Sequence, residues 1–170
     1  MKGENKVNHQ ETKEKEMEQM KMKHNMYRKL AIMSFLSFVA MYILMFSMIN
    51  TFGNFINNIN MAYMAGLMVA PMIVFELGVM WAMYKNKTLN YLIIAGTIVA
   101  GLLLFLFIRQ QTLVGDRQFL RSMIPHHSSA ILMCRQSTIS DSELKQLCQE
   151  IIESQQQEID QMNAIMERLE

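Results

Sequence analysis

Three long apolar stretches separated by short polar segments fill the first two thirds of the chain. They cover residues 30–49, about 61–84, and 91–108. The first holds twenty residues without a charge. At about 1.5 Å of rise per residue, that is enough helix to cross a hydrocarbon core of about 30 Å. The second contains Pro71 and Glu76. The pattern predicts three transmembrane helices.

After the third stretch the pattern changes to that of two amphipathic helices. Gly115-Asp116 is a break followed by an N-cap signal, and apolar periodicity then lasts from Phe119 to about Ser137. The run Ser140-Asp141-Ser142-Glu143 is a capping box that opens a second helix. The connection between the two helices is short, which favours an antiparallel hairpin. The predicted fold class is therefore all-α, with three transmembrane helices followed by a helical hairpin.

Folding the chain back about residue 141 gives the register of this hairpin. It places Cys134 opposite Cys148, and His127 near Gln155 and Glu158. Two helices alone bury little apolar surface. We therefore expect a homo-oligomer, in the simplest case a dimer that makes four helices.

The distribution of lysine and arginine predicts the orientation in the lipid bilayer. Residues 1–29 and the turn at 85–88 together hold ten Lys/Arg, whereas the asparagine-rich loop at 50–60 holds none. The positive-inside rule then places the tail and the turn in the cytoplasm of a bacterial inner membrane, and the hairpin in the periplasm or outside the cell. The predicted regions are a charged, methionine-rich tail (1–29), a three-helix transmembrane region (30–108) and an extracytoplasmic domain (109–170).

Composition argues against one class of partner and draws attention to methionine. The formal charge is only +1, which argues against nucleic acid. Nineteen of the 170 residues are methionine, far above ordinary usage. Methionine is also a flexible core residue, so richness alone does not establish metal binding. The four methionines and His24 within residues 17–26 either hold a soft metal loosely or belong to a charged helix that extends the first span.

The most informative stretch is Met-Ile-Pro-His-His-Ser-Ser-Ala-Ile-Leu-Met-Cys at residues 123–134. On a helix, Met123 and His127 share one face with the cysteine that ends the stretch, and His126 shares a neighbouring face with Met133. Imidazole, thioether and thiolate groups are the ligands that soft Cu(I) prefers. The alternative is a helix whose methionines and cysteine are ordinary core residues and whose histidines are solvated.

Positions that match a known family continue from this stretch into the second helix. They are Phe119, Met123 through His127, Ala130-Ile131, Met133, Leu144, Leu147, Ile151-Ile152, Gln155, Glu158-Ile159 and Met162. On these positions, about residues 116–166 resemble the CopM-like copper-binding family, a bacterial family built on domain of unknown function 305. The resemblance implies a ferritin-like helical fold, here a half-bundle. The sequence departs from the family pattern at Cys134 and Ile165, where a small residue and an aromatic residue are expected.

The motif and the resemblance together predict a binding site for Cu(I), with Ag(I) as a further candidate ligand. The predicted ligands are His126, His127, Met123, Met133 and Met162, and the further candidates are Cys134, Cys148, Glu158 and Met166. The predicted function is copper binding in metal handling or tolerance, together with copper-handling partner proteins. The competing class is a structural membrane protein whose hairpin oligomerises or binds a partner without metal.

Catalysis is not expected from this sequence. Di-iron carboxylate sites in ferritin-like folds use Glu-x-x-His pairs, but Met123 and Ile124 stand three residues before the two histidines. No tight pattern of four His/Cys zinc ligands occurs in the sequence. The two cysteines have three interpretations: a disulfide, which is natural outside the cytoplasm, small core residues, or thiolate ligands.

Methionines also line the predicted spans. In the second span a single face carries Met61, Met64, Met68, Met72, Glu76, Met80 and Met83. Lys85 is nine residues beyond Glu76, so we expect this carboxylate to lie well inside the hydrocarbon, where a charge is costly. Either the face forms a path for soft metal, or the methionines pack helices and Glu76 is protonated or hydrogen-bonded. The third span carries a small-residue surface where another helix can approach closely, with Gly96 and Ala100 at small-xxx-small spacing. Its members are Ala95, Gly96, Ala100 and Gly101.

Overall fold

The computed structural model describes Met17 and residues 25–169, and the described chain forms helices and no strand. The α-helices are α1 (Asn25–Met48), α2 (Ile59–Val79), α3 (Lys87–Gln110), α4 (Asp116–Gln136) and α5 (Ser142–Arg168). The last turn of α1, Met45–Met48, is a 3-10 turn, and a second 3-10 turn, Phe52–Asn54, lies in the α1–α2 loop. The all-α prediction is confirmed. Most of the predicted charged tail, and with it the soft-metal hypothesis for residues 17–26, lies outside the described residues.

The first three helices are long and apolar enough to cross a bilayer, judged by length and composition. Aromatic side chains gather towards the two ends of the bundle that these helices form. Tyr27 packs on Tyr84 and Trp81 packs on Tyr91 at one end, and the Tyr42 ring packs on Phe46 at the other. Tyrosine and tryptophan are enriched at the two membrane–water interfaces, so the positions of these rings agree with three membrane spans.

The loops separate cleanly between the two ends. At the first, which we call the tail end, the Tyr27 hydroxyl donates to Asn90 Oδ1 at 2.6 Å, which joins the start of α1 to the first turn of α3. At the second, the domain end, Asn50 and Asn54 of the α1–α2 loop donate to Ser128 of α4. The α1–α2 loop therefore lies at the same end of the bundle as α4, as three consecutive spans require.

Helix α2 ends at Val79, five residues before the predicted boundary. The cause lies in side chains that capture backbone carbonyls beyond the helix. Lys87 Nζ donates to the carbonyl oxygens of Trp81, at 2.6 Å, and Tyr84, and Asn90 Nδ2 also donates to Tyr84. These bonds replace further helical turns. Glu76 consequently belongs to the last turn of α2, and its expected position inside the hydrocarbon stays a prediction.

Close helix contact in the bundle uses one glycine of the predicted small-residue surface and one glycine of α2. A Cβ added at Gly101 would lie 3.3 Å from Ala70 Cβ, and one at Gly66 would lie 2.9 Å from a Leu104 methyl group. Gly96, by contrast, has no such neighbour within 4 Å and is exposed. The α2–α3 contact therefore depends on Gly66 and Gly101, and Gly96 of the predicted surface takes no part in it.

Helices α4 and α5 pack along each other over a small apolar core. Leu120, Ile124 and Ile131 of α4 are buried against Ile159 and Met162 of α5. As predicted, α4 starts at Asp116 after Gly115. The predicted cap of α5 was one residue off, because the Asp141 carboxylate, not Ser140, accepts the Leu144 N–H at 2.8 Å. A carboxylate in this position also interacts favourably with the helix dipole.

Candidate functional site

His127 is held from both sides of its ring. The residue is buried, and its Nδ1 lies 2.9 Å from the Met123 carbonyl oxygen, one turn earlier on α4. Its Nε2 lies 2.6 Å from Glu158 Oε2 on α5. Both neighbours are acceptors, so a ring protonated at both nitrogens donates to both, whereas a neutral ring donates to one. The proximity of His127 and Glu158 that the folded-back register predicted is confirmed.

Glu158 is fixed by two donors although its side chain is about half exposed. Besides His127, the Ser154 hydroxyl donates to Glu158 Oε1 at 3.0 Å. The hydrogen bond from His127 and then that from Ser154 lower the pKa of Glu158 below its ordinary value. The carboxylate therefore carries its negative charge at neutral pH. Ser154 was not predicted, although its spacing of four residues from Glu158 on one helix was the available signal.

The predicted sulfur and imidazole ligands separate into a buried and an exposed set. Met162 is part of the α4–α5 core, and Met123 and Met166 pack against the same core. His126 and Met133 are exposed. Consecutive residues of a helix point about 100° apart, so His126 cannot face α5 together with His127. The ring centroids of the two histidines are 6.1 Å apart.

Cys134 and Cys148 are bonded to each other, with their Cα atoms 5.3 Å apart. The predicted proximity of the two cysteines is thus confirmed, and the disulfide is the one of the three interpretations that the structure contains. Neither cysteine offers a thiolate in this state, so the bonded form removes both from the candidate ligands. The disulfide fixes the end of α4 to the start of α5, seven residues beyond His127.

Comparison with known proteins gives a family but no function. Residues 109–166 match the model of the Domain of unknown function (DUF305). The chain is also 40% identical over 107 residues to Uncharacterized protein L153 of Acanthamoeba polyphaga mimivirus, and this alignment covers 62% of the chain and 68% of the viral protein. The chain belongs to the same family as this viral protein. No solved structure matches it.

The DUF305 domain corresponds to α4 and most of α5, together with the end of α3. The alignment with the viral relative is longer than this domain, so the likeness extends beyond it. The sequence resemblance to domain of unknown function 305 is thereby supported. The copper-binding part of that resemblance is taken up in the proposal below.

Ser128 supports the DUF305 domain from the side facing the membrane and was missed by sequence reasoning. Its side chain is fully buried, and its hydroxyl accepts the Asn50 N–H at 2.7 Å and the Asn54 side-chain amide at 2.9 Å. These bonds hold the residue next to His127 against the α1–α2 loop. The signal in the sequence was the run of uncharged asparagines at 50–60, whose partner could not be identified without the fold.

The contacts of the His127 ring are oxygen atoms, and methionines lie in the adjoining core. Among the described residues, no group of three His, Cys, Asp or Glu side chains gathers in a way that could hold a metal ion. The two ring nitrogens lie against the Met123 carbonyl oxygen and the Glu158 carboxylate. The core between α4 and α5 contains Met162, and Met123 and Met166 pack against it. Thioether sulfur favours Cu(I) over hard cations, so an ion that took methionine sulfur here would be a soft one.

Proposed function

We propose that the protein is a membrane-anchored binding protein for Cu(I), and for Ag(I) as its chemical analogue, that acts in metal handling or tolerance. The DUF305 domain is the binding unit, arranged as an antiparallel helical hairpin of the ferritin-like type. The observation that carries the proposal is the position of His127, between the Met123 carbonyl and Glu158, on a helix pair whose core contains Met162 and has Met123 and Met166 packed against it.

The orientation of the His127 ring fits a metal ligand. Histidines that bind metals usually donate their second ring N–H to a carbonyl or carboxylate, which fixes the ring and raises its basicity. Here the Met123 carbonyl can receive the Nδ1 proton, which leaves the Nε2 lone pair for the ion. The nearby thioethers of Met123 and Met162 supply soft donors, and the Glu158 carboxylate balances the positive charge. Binding displaces a proton from the ring wherever the ring carries two.

The exposed donors give the proposal its second half. His126 and Met133 are seven residues apart on one face of α4 and face outwards. They are available for transferring the ion to a copper-handling partner protein, or for completing a site with a second copy of the chain. This division assigns binding to the buried set and exchange to the exposed set.

Two features support an extracytoplasmic position for the domain. The lysines and arginines are concentrated in the tail and in the α2–α3 turn, which the positive-inside rule assigns to the cytoplasm. A disulfide between Cys134 and Cys148 persists in oxidising compartments such as the bacterial periplasm. We therefore assign the N-terminus to the cytoplasm of a bacterial cell and the DUF305 domain to the far side of the inner membrane.

Competition with the Cu(I) chelator bicinchoninate tests this function on the full-length protein in detergent. Changing His126 and His127 to alanine should weaken Cu(I) binding at least tenfold, because the fixed imidazole is lost. The chain has four histidines, so His9→Ala/His24→Ala is a matched control that removes the same chemistry outside the domain. Binding that the control weakens as much as the His126/His127 variant does, or wild-type binding weaker than micromolar, would contradict the proposal.

A second candidate function is structural, and exposed apolar side chains favour it. Phe119, Met133, Leu144 and Leu147 are each about half exposed on α4 and α5. In this alternative they pair two copies of the chain and no metal is involved. Native mass spectrometry of the metal-free protein distinguishes the two: a dimer that Leu144→Lys/Leu147→Lys dissociates, without any Cu(I) affinity in the wild type, supports the structural role.

A further inference from the structure

We propose a second soft-metal site in the cavity between α1 and α2 at the tail end of the bundle, with Glu76, Met33, Met80 and Met83 as its donors and Cu(I) or Ag(I) as its ligand. The cavity has a volume of about 480 Å³, and these four residues lie in its wall together with Met26 and Tyr84. The site is separate from His127 and does not rest on the function proposed above.

Three parts of the fold bring these donors together. Met26 and Met33 are seven residues apart, so α1 presents both on one face. Glu76 and Met80 are four residues apart at the end of α2, and Met83 follows in the α2–α3 turn. The early end of α2 is essential, because it turns the chain back and carries Met83 and Tyr84 to the same cavity.

The carboxylate in this cavity has no ion-pair partner among the described residues. No basic side chain of Met17 or residues 25–169 forms an ion pair with Glu76, although Lys29 lies in the cavity wall. Burial, and then the charge of Glu76 and a hydrogen bond to it, raise the pKa of Tyr84. The phenol therefore stays protonated and donates, so Glu76 has a hydrogen-bond donor but no ion-pair partner among these residues.

The donor set fits a soft monovalent ion better than the other occupants. Calcium needs six to eight oxygen ligands and magnesium needs near-octahedral oxygen coordination, whereas this wall offers one carboxylate, one phenol oxygen and the Asn25 amide oxygen among four thioethers. Thioethers favour Cu(I), and one carboxylate neutralises a single positive charge. Ordinary packing of methionine would fill the space between the helices, as flexible side chains do in cores. Here the four methionines surround a cavity instead.

The test uses full-length protein in detergent that carries His126→Ala/His127→Ala, so that any Ag(I) bound comes from outside the DUF305 site. In this background, Met33→Leu/Met80→Leu/Met83→Leu should remove one equivalent of Ag(I) in equilibrium dialysis. The matched control is Met61→Leu/Met64→Leu/Met68→Leu, which changes three methionines of α2 that do not line the cavity. Leucine and methionine have similar volumes, so both variants should keep their helix content and elution volume.

Glu76→Gln in the same background keeps the shape and removes the charge. We expect about a tenfold loss in Ag(I) affinity, because a charge-assisted contact is typically worth that factor. X-ray absorption of the Cu(I)-loaded protein should show sulfur neighbours that the methionine variant loses. If the triple variant does not fold, Glu76→Gln and the absorption spectrum carry the test alone.

Three results would overturn the second site. One is equal Ag(I) binding by the cavity variant and its control. Another is loss of the equivalent only in Met17→Leu/Met20→Leu/Met22→Leu, which would assign the ion to the tail. The third is unchanged affinity in Glu76→Gln. None of these results affects the bicinchoninate assay of His126 and His127, so the two sites can fail separately.

Discussion

At the domain end of the molecule, Glu158 faces a histidine ring across 2.6 Å, whereas at the tail end Glu76 meets the phenol of Tyr84 and forms no ion pair among the described residues. Both carboxylates lie beside methionines. The first is outside the predicted spans and half exposed, so water and His127 share in stabilising its charge. The second is in the last turn of a helix that is apolar enough to span a membrane, and a charge inside a membrane has less water to stabilise it.

The difference shows how a carboxylate that lies beside methionines can have two roles. At the domain end a histidine ring is built into the protein as the partner of the carboxylate, so an ion that binds Nε2 has to displace that contact. At the tail end Glu76 has no ion-pair partner among the described residues, although Lys29 lies in the same cavity wall, and a soft cation is the group that we propose to complete it. Each prediction below perturbs one of the two ends.

Removing the disulfide should have the largest effect on stability. Cys134→Ser/Cys148→Ser opens a loop of about 15 residues, for which chain entropy predicts a loss of about 3 kcal/mol. Hydrogen exchange of α4 and α5 in the full-length protein measures it, and α1–α3 should be unaffected. Reductant added to the wild type should reproduce the effect. Equal protection in the oxidised wild type and the double variant would mean that packing alone holds the two helices together.

Ser128→Ala should have the next largest effect on stability. It removes the hydroxyl that accepts hydrogen bonds from two donors of the α1–α2 loop. We expect a loss of about 1–3 kcal/mol, the usual cost of leaving buried donors unpaired. Ser129→Ala is the matched control, since the Ser129 hydroxyl donates only to the His126 carbonyl within the same helix. Thermal unfolding followed by circular dichroism compares them, and equal effects would show that the loop contact carries no stability.

Tyr27→Phe probes the tail end in the same way. It removes a phenol that donates to Asn90 Oδ1 at 2.6 Å and lies 3.2 Å from the Asn86 carbonyl oxygen. Asn90 is fully buried and keeps its bond to the Tyr84 carbonyl, so we expect a smaller loss of about 1 kcal/mol. Hydrogen-exchange protection of the α2–α3 turn measures this loss of stability. A change confined to α4 and α5 would contradict the separation of the two ends.

Low pH should lower the stability of α4 and α5 through Glu158, and this is the smallest of the expected effects. Because the pKa of this carboxyl is lowered on folding from an ordinary value of 4.5, its stabilising contribution is present above that value and is lost as the pH falls through the lower folded pKa. Unfolding measured between pH 7 and pH 3 should show this loss in the wild type. Glu158→Gln should remove that part of the pH dependence, and the exposed Glu153→Gln should keep it.

Strong periodic signals made much of this fold predictable. Twenty uncharged residues at 30–49 have few alternatives to a membrane helix, and the folded-back register placed Cys134 and Glu158 beside Cys148 and His127 because helical spacing is regular. The candidate site was found only in part. Periodicity located the faces of α4, but it could not show that His127 would be buried and His126 exposed.

The remaining features depend on side chains that reach across the fold. Val79 ends α2 because Lys87 and Asn90 capture carbonyl oxygens beyond it, which no local pattern in α2 indicates. The same holds for Ser128, whose partners are 74 and 78 residues away in sequence. Asp141 and Ser140 are both good caps, so the choice between them is decided by the geometry of the connection.

The contact between the α1–α2 loop and α4 also gives the chain an order of assembly. Synthesis proceeds from the N-terminus, so the loop is already anchored between two inserted helices when α4 emerges. Helix α4 can then dock on a loop that is already in place. Gln118 accepts the Ile59 N–H and Ser128 accepts the Asn50 N–H in this contact. The last two helices are thus placed by docking as well as by the short linker at 111–115. A chain whose α1–α2 loop is replaced by glycine and serine should insert into the membrane normally, but its helices α4 and α5 should fold slowly.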